Sequence, residues 1–447
     1  MKPLLLFIIS LISLTGWTSV NTYFNHNASN SYTEPYRNIQ RAGDNLEQVL
    51  LDQISLAKKT IYIAVQELRL PLVAEALVKK SQQGVDVRIV LEHDYNFTIV
   101  DQLPDDEISE KEASKIQELK AFVDLNKNGV LETSELQKRD AIYILRKAGI
   151  PLIDDTSDQS YGSALMHHKF MVVDNKTAIV STANFTMSCI HGDTLNFSSR
   201  GNANSLVVVE SSDFARLFTQ EFAELWGTGR RGRFGQSKTY RGPKTINVDG
   251  INITVQFSPT SRELTWENSV NGLIARHLGR ASRSVKAALF VFSEQPLADV
   301  LEKVSLDGAE IGVLIERKFA YRYYSELLDM LGLKMRGPNC SFEFGNNPWK
   351  QPIEEAGYSN LNQGDVLHHK FAVVDNKTVI VGSQNWSDSA NYMNDETLIV
   401  IQDNQISDLY TQEYERLKAR ANFDVPVRVA EEVESWNRSC TDNVFGY

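Results

Sequence analysis

The sequence predicts an α/β fold built twice, as two homologous α/β/α halves that face each other across a pseudo-two-fold axis. Three observations predict it. Met166 to Thr186 (MHHKFMVVDNKTAIVSTANFT) recurs as Leu367 to Ser387 (LHHKFAVVDNKTVIVGSQNWS), at a constant offset of 201 with 13 of 21 positions identical. A helix–strand–helix–strand order precedes each copy. Gly84 matches Gly308, and Glu92 matches Glu316, at an offset of 224, so the repeat spans whole domains, roughly Leu46–Trp226 and Ile253–Leu417.

Taken in order, the chain opens on Lys2 and an apolar run from Pro3 to Leu14, followed by small and polar residues near Thr15 to Ser19. That pattern reads as an export signal, with an uncleaved N-terminal anchor as the alternative. Asn21 to Gly43 is polar and reads as a linker. Leu46, Val49, Leu50, Ile54 and Ala57 then fall at helical spacing. Thr60–Val65 is apolar and rich in β-branched residues, a strand; Val73–Lys80 is a helix stopped by Gly84; Val85–Leu91 is a second strand. Strand–helix–strand order of this kind predicts a parallel pair covered by a helix.

The second half repeats the order with Leu273–Ala281, Val285–Phe292, Leu297–Val304 and the strand after Gly308. The offsets differ because the first half carries 23 more residues before its motif, in the charged, helix-prone stretch at about 101–138. The division is therefore 1–20 export segment, 21–45 linker, 46–228 first half, 229–250 basic Gly-rich linker, 251–425 second half and 426–447 tail. The basic linker (Arg230, Arg231, Arg233, Lys238, Arg241, Lys244) reads as a solvated connection, with a basic lip over an anionic substrate as the alternative.

Composition bounds the partners. The chain has 447 residues, 42% of them hydrophobic, and a net charge of −11. That is an ordinary globular balance, and it is not built for broad attraction to nucleic acid. Cys189, Cys340 and Cys440 allow one disulfide and one free thiol, with three pairings open.

In the repeated motif, apolar arms such as Val172–Val173 and Ile179–Val180 read as buried strands joined by a turn near Asp174. A strand alternates its side chains, so His167 and Lys169 share a face, as do His368 and Lys370. Such a pair suits a phosphate: Lys brings positive charge, and His brings a nucleophilic nitrogen or a proton. Asn184 and Asn385 on the return arms can donate amide hydrogens to phosphate oxygens.

The spacing His-x-Lys-x4-Asp-x6-Gly-Ser-x-Asn resembles the paired signature of the phospholipase D superfamily. The second copy carries His368, Lys370, Asp375, Gly382, Ser383 and Asn385; the first carries His167, Lys169, Asp174 and Asn184, with Ser181-Thr182 in place of Gly-Ser. The resemblance implies two halves with mixed, largely parallel sheets about a pseudo-two-fold axis. It also implies two-step phosphoryl transfer, with His167 as nucleophile, His368 as acid/base and no catalytic metal. A downstream carboxylate that orients the motif His is expected at Glu396, assigned to His368; the first half has Asn204 at that position, and Asp193 is the carboxylate on offer to His167.

One further motif lies in the extra segment of the first half. Asp124 to Glu135 (DLNKNGVLETSE) fits an EF-hand calcium loop at every fixed position. Asp124, Asn126, Asn128, the Val130 carbonyl, Glu132 through water and bidentate Glu135 would hold Ca2+ in a structural or regulatory role, with Gly129 at the sharp turn.

These readings converge on an exported phosphodiesterase of the phospholipase D type, acting on a phospholipid headgroup ester at a membrane surface. The alternatives are a nuclease acting on nucleic acid, a phosphatidyltransferase, and a calcium-binding surface protein with an inactive repeat. Nothing in the sequence points to a protein partner.

Overall fold

Two mixed sheets carry the architecture of this computed structural model, which describes residues 19–101, 110–160, 162–229 and 231–442. The apolar N-terminal run therefore lies outside the described residues, as does Arg230. Among the described residues no helix is long and apolar enough to cross a membrane.

The first half comprises β1 (Val20–Phe24), a small hairpin of β2 (Ser31–Thr33) and β3 (Gln40–Ala42), α1 (Leu46–Leu56), β4 (Thr60–Val65), α2 (Pro71–Gln82) and β5 (Asp86–Leu91). The extra segment adds α3 (Glu110–Val123), α4 (Thr133–Arg139) and α5 (Ala141–Lys147). Then come β6 (Leu152–Asp154), β7 (Lys169–Val173), β8 (Thr177–Ser181), the short α6 (Met187–Ile190), β9 (Ser205–Glu210) and α7 (Ser212–Trp226).

The second half runs β10 (Lys244–Val248), β11 (Ile251–Ser258), α8 (Val270–Leu278), β12 (Ser284–Leu289), β13 (Phe292–Ser293), α9 (Gln295–Leu306), β14 (Glu310–Ile315), α10 (Arg317–Ala320) and α11 (Glu326–Met330). It continues with β15 (Ala356–Ser359), β16 (Lys370–Val374), β17 (Thr378–Gly382), β18 (Trp386–Ser387), α12 (Asp388–Tyr392), β19 (Glu396–Gln402), α13 (Asn404–Lys418), β20 (Ala421–Asn422) and α14 (Val427–Asp442).

The sheet orders are β1-β9-β8-β7-β4-β5-β6 and β10-β11-β19-β17-β16-β12-β14-β15-β20. Pairing is parallel along β4-β5-β6 and β12-β14-β15, and antiparallel through the motif hairpins β7-β8 and β16-β17. The helix ends follow from local chemistry. Pro71 opens α2 where no backbone N–H is needed. Gly84 and Gly308, the matched glycines, take left-handed φ of 90° and 101° just past α2 and α9.

Helices α7 and α13 lie between the two sheets. Phe214, Phe218 and Phe222 of α7 and Tyr410, Tyr414 and Leu417 of α13 share one core with Phe170, Val207, Phe371 and Ile399. Two outer cores hold α1, α2 and α5 on one side and α8, α9 and α11 on the other. The halves thus fold around a common centre.

Three segment readings need correction. Residues 21–45 are not a plain linker, because β1 pairs with β9 and Arg41, Glu34 and Asn25 are buried. Only Val20 and Phe24 of β1 are buried, so its apolar pattern is faint. The basic connection at 229–250 is solvated at Arg231, Arg233 and Lys244 but anchored at Lys238 and Arg241. Lys238 is buried between Glu221 (2.6 Å) and Asp395 (2.7 Å), Arg241 pairs with Glu221 and Glu224, and Lys244 opens an edge strand. Val427–Asp442 of the C-terminal segment is helical, and the Cys340–Cys440 disulfide ties it down, leaving Cys189 free and buried.

Candidate active site

Each motif reaches the centre through a backbone bridge to the other half. His167 N–H donates to the Asp395 carbonyl at 3.0 Å, and Asp395 N–H to the Leu165 carbonyl at 2.9 Å. In mirror fashion, His368 N–H donates to the Ala203 carbonyl at 3.1 Å, and Ala203 N–H to the Val366 carbonyl at 2.9 Å. Behind each bridge stands a carboxylate of the parallel strands. Glu92 accepts from the Met166 N–H, and Glu316 from the Leu367 N–H. That is the structural content of the Glu92/Glu316 match.

The bridges exchange the partners of the histidines. Glu396 does not serve His368. Its Oε2 accepts from His167 Nδ1 at 2.7 Å, while His368 Nδ1 donates to Asn204 Oδ1 at 3.0 Å. Asp193 is not involved: it lies on the loop after α6, where Arg37 donates to its carbonyl. The amide orientation of Asn204 is fixed by Nδ2 donating to the Cys189 and Asn202 carbonyls. Both rings thus present Nε2 with Nδ1 already committed.

The supporting hydroxyls are equivalent too. Ser383 Oγ donates to Glu396 Oε2 at 2.6 Å, and Thr182 Oγ1 to Asn204 Oδ1 at 2.9 Å. Thr182 therefore does the work of a serine. A Cβ on Gly382 would stand 2.1 Å from the Thr397 carbonyl, so the close approach there is to a neighbouring strand. In the first half, Ser181 fits by turning its hydroxyl to Ala183 N–H and the Ser205 carbonyl.

Lys169 and Lys370 are buried, and each donates to the carbonyl of its own motif histidine, at 2.9 and 2.8 Å. Asn184 and Asn385 each keep a buried side-chain oxygen without a partner. Burial first, then the two lysines, hold His167 and His368 well below the usual imidazole range. Burial lowers Lys169 to about 8 and Lys370 well below its usual value, the latter with help from Lys169. Burial raises Glu396 to about 7 against the pull of Lys169. The site concentrates cationic groups that repel one another, an arrangement an anionic ligand would relieve.

Asp174 and Asp375 do not belong to the site. At φ of 53° and 54° they turn the hairpins and accept backbone N–H groups, Asp174 from Lys58, Lys59 and Thr60, Asp375 from Ser282, Arg283 and Ser284. Five residues beyond the lysine on an extended strand, they sit roughly 16 Å away. His168 and His369 point the other way, into the central core, and bind Glu221 of α7 (2.9 Å) and Glu413 of α13 (2.7 Å).

Two neighbours of the site escaped sequence reasoning. Gln66 and Phe290 occupy equivalent places, donating backbone N–H to the His168 and His369 carbonyls at 3.0 and 2.8 Å. Gln66 Oε1 accepts from Lys169 (3.4 Å) and Asn184 (3.2 Å). Phe290 sets its ring 4.9 Å from the His368 ring and 4.9 Å from Lys370 Nζ. They are 224 residues apart, the offset of the Glu92/Glu316 match, which was the available signal.

The 124–135 segment forms a loop between α3 and α4. Asp124 accepts from Asn128 and Gly129, Asn126 from Asn128, and Asn128 from Val130, while Gly129 turns at φ 79°. Glu135 closes the loop on the N–H groups of Leu125, Asn126 and Glu132. Glu132 completes a capping box with Glu135.

The family described as cardiolipin synthase, PLD-like domain, matches residues 50–226 and 274–418. Mouse mitochondrial cardiolipin hydrolase is 28% identical over 153 residues, 34% of this chain and 58% of that protein. A phospholipase D of Rickettsia felis is 23% identical over 146 residues, 33% of this chain and 62% of that protein. These matches span less than two thirds of the relatives' own length. Phosphatidylserine synthase from Haemophilus influenzae shares the fold, with a TM-score of 0.53 at 12% identity over 95% of this chain and 96% of that one.

Proposed function

The chain belongs to the cardiolipin synthase, PLD-like family, and from that premise we propose that it is a phospholipase D-type phosphodiesterase, hydrolysing a phospholipid headgroup ester to phosphatidic acid and an alcohol. The observation that carries this reading is the exchanged pair of histidines, each with Nδ1 held by the opposite half and Nε2 left for chemistry.

In the proposed mechanism, His167 Nε2 attacks phosphorus and the bond to the headgroup oxygen breaks. His368 Nε2 gives its proton to that oxygen. Water then attacks the phosphohistidine, His368 takes the water's proton, and His167 leaves. Glu396 behind His167 stabilises the positive ring as the N–P bond forms. Lys169, Lys370, Asn184 and Asn385 face the phosphoryl oxygens. A bound phosphate diester carries negative charge, which raises His368 from its depressed value and readies it as an acid.

Lipid is preferred over nucleic acid as the substrate for two reasons. The chain is acidic overall, and the loop after α6 exposes Leu195 and Phe197, the latter 67% accessible. Export fits the Cys340–Cys440 disulfide. The test offers purified protein labelled cardiolipin or phosphatidylcholine vesicles and single-stranded DNA. Lipid turnover that disappears in His167→Ala and His368→Ala supports the reading. Cleavage of DNA alone makes the protein a nuclease, and phosphatidyl transfer to added alcohol makes it a transferase.

The 124–135 loop is proposed to hold Ca2+ through Asp124, Asn126, Asn128, the Val130 carbonyl, Glu132 and Glu135. Its turn and oxygen donors fit that ion, which would supply order rather than chemistry. The loop ends α3, whose Glu118 accepts from Thr194 and Leu195 N–H at 2.8 and 3.0 Å. Calcium would therefore steady the loop that carries Phe197. Calorimetry on the wild type and Glu135→Gln checks this: no heat of calcium binding, or equal heats, rejects it.

A further inference from the structure

Glu92 has work for only one of its oxygens. Oε2 holds the Met166 N–H, one residue before His167. Oε1 is fully buried and accepts no hydrogen bond. It points at His93 Nδ1, 3.0 Å away, and the same nitrogen is 3.0 Å from Asp155 Oδ1. A nitrogen carries at most one hydrogen, so it cannot satisfy both carboxylates. Asp155, also fully buried, already takes the His93 and Ser163 N–H groups.

The second half shows what the backbone alone requires. Glu316 holds the Leu367 N–H in the equivalent way, with Arg317 at the position of His93 and Ser359 at that of Asp155. The His–Asp pair is thus an addition of the first half, beyond the need to fix the motif.

The spacing suits an ion. Ligand atoms bound at about 2.1 Å lie about 3.4 Å apart at tetrahedral angles and about 3.0 Å apart at octahedral right angles, so the observed 3.0 Å spacings fit a six-coordinate shell. Among the described residues this is the one group of three His, Cys, Asp or Glu side chains whose ligand atoms all lie within 4.8 Å. Gly162 leaves the room: a Cβ there would stand 2.8 Å from Asp155 Oδ2 and 2.9 Å from His93 Nδ1. His93 is one-third exposed and opens a way in.

We propose that Glu92 Oε1, His93 Nδ1 and Asp155 Oδ1 bind a first-row divalent cation, Zn2+ or Mn2+, with water completing its shell. One imidazole with two carboxylates is a donor set for these ions, whereas the all-oxygen loop at 124–135 suits Ca2+. The ion and the Met166 N–H share Glu92, so occupancy fixes the entry to the first motif. The inference does not depend on the substrate.

The test uses the full chain, stripped with a chelator and titrated with Zn2+ and with Co2+ as a spectroscopic probe. One equivalent should bind to wild type and to Glu135→Gln, raise the melting temperature and give a visible Co2+ spectrum. Binding should weaken at least about 100-fold in His93→Ala and in Asp155→Asn. His93 is partly exposed, so His93→Ala decides should Asp155→Asn fail to fold. Undiminished binding in folded His93→Ala, or no micromolar binding by wild type, overturns the site.

Discussion

Glu396 Oε2 accepts a hydrogen bond from His167 Nδ1 at 2.7 Å, across 229 residues and from one half of the molecule to the other. Asn204 stands in the matching place behind His368. A carboxylate can stabilise a ring that becomes positive on attacking phosphorus; an amide fixes a tautomer without adding charge. The asymmetry therefore puts the carboxylate behind the proposed nucleophile.

Glu396→Gln keeps a hydrogen-bond acceptor and removes the charge. The expected result is a fall in kcat of about 10²–10⁴-fold, in the range for groups acting through a catalytic histidine. Burial raises Glu396 to about 7, and its ionised form is the one that works. Wild-type kcat should therefore decline as pH falls through about 7, and the variant should lose that limb. A pH–rate series on both proteins checks it, and an unchanged limb in Glu396→Gln counts against the assignment.

Asp174 and Asp375 predict the opposite split. Each ties three or more backbone N–H groups at a hairpin turn. Asn tolerates the left-handed φ they adopt but can accept through only one oxygen. Asp174→Asn and Asp375→Asn should each cost about 1–3 kcal/mol of stability while kcat per folded molecule stays near wild type. Denaturant melts and active-site titration separate the two effects.

The motif residues were legible because one strand face must carry His167 with Lys169 and His368 with Lys370, whatever surrounds them. The sequence also shows that the repeat is whole-domain, since Glu92 and Glu316 hold equivalent backbone groups. The pairing of Glu396 was not legible. Sequence distance favours His368, whereas the bridge between Leu165 and Asp395 delivers it to His167. Nor was β1, whose burial comes from pairing with β9 rather than from its own apolar pattern. Lys238 looked solvated because its partners, Glu221 and Asp395, lie on either side of it in the sequence and far from it.

Stability should itself depend on pH. Burial depresses His167, His168, His368 and His369 below their ordinary value of 6.5. In the unfolded chain these rings take up protons near 6.5, and the native chain resists. The unfolded state then binds more protons, so stability rises with pH through this window and is lost below about 6.5. Carboxylates raised by burial work in the other sense, Glu92, Glu343 and Glu396 to about 7 and Asp193 to about 6, so the two classes of buried group oppose each other in this window. Melting temperatures of wild type and His368→Phe compared from pH 8 to 5 isolate one ring: the wild type should lose ground to the variant below about 6.5, and a difference that does not change with pH contradicts a buried neutral ring at His368.

Gln66 and Phe290 make the two faces of the site chemically unlike. Gln66 gives Lys169 and Asn184 a polar neighbour, while Phe290 shields His368 and Lys370 from water. Phe290→Ala admits water to His368. Because burial is the first cause of its depression, the imidazole should move up toward its ordinary value. The limb of the kcat/KM profile that reports His368 should shift to higher pH, with loss of a ring–cation contact worth about 0.5–2 kcal/mol. Phe290→Leu, which stays apolar, should keep the limb in place while losing the ring contact. Gln66→Ala leaves the shield intact, so its effect should fall on phosphate binding, as a raised KM with the His368 limb unmoved. Equal shifts in Phe290→Ala and Gln66→Ala would mean that the two faces are interchangeable after all.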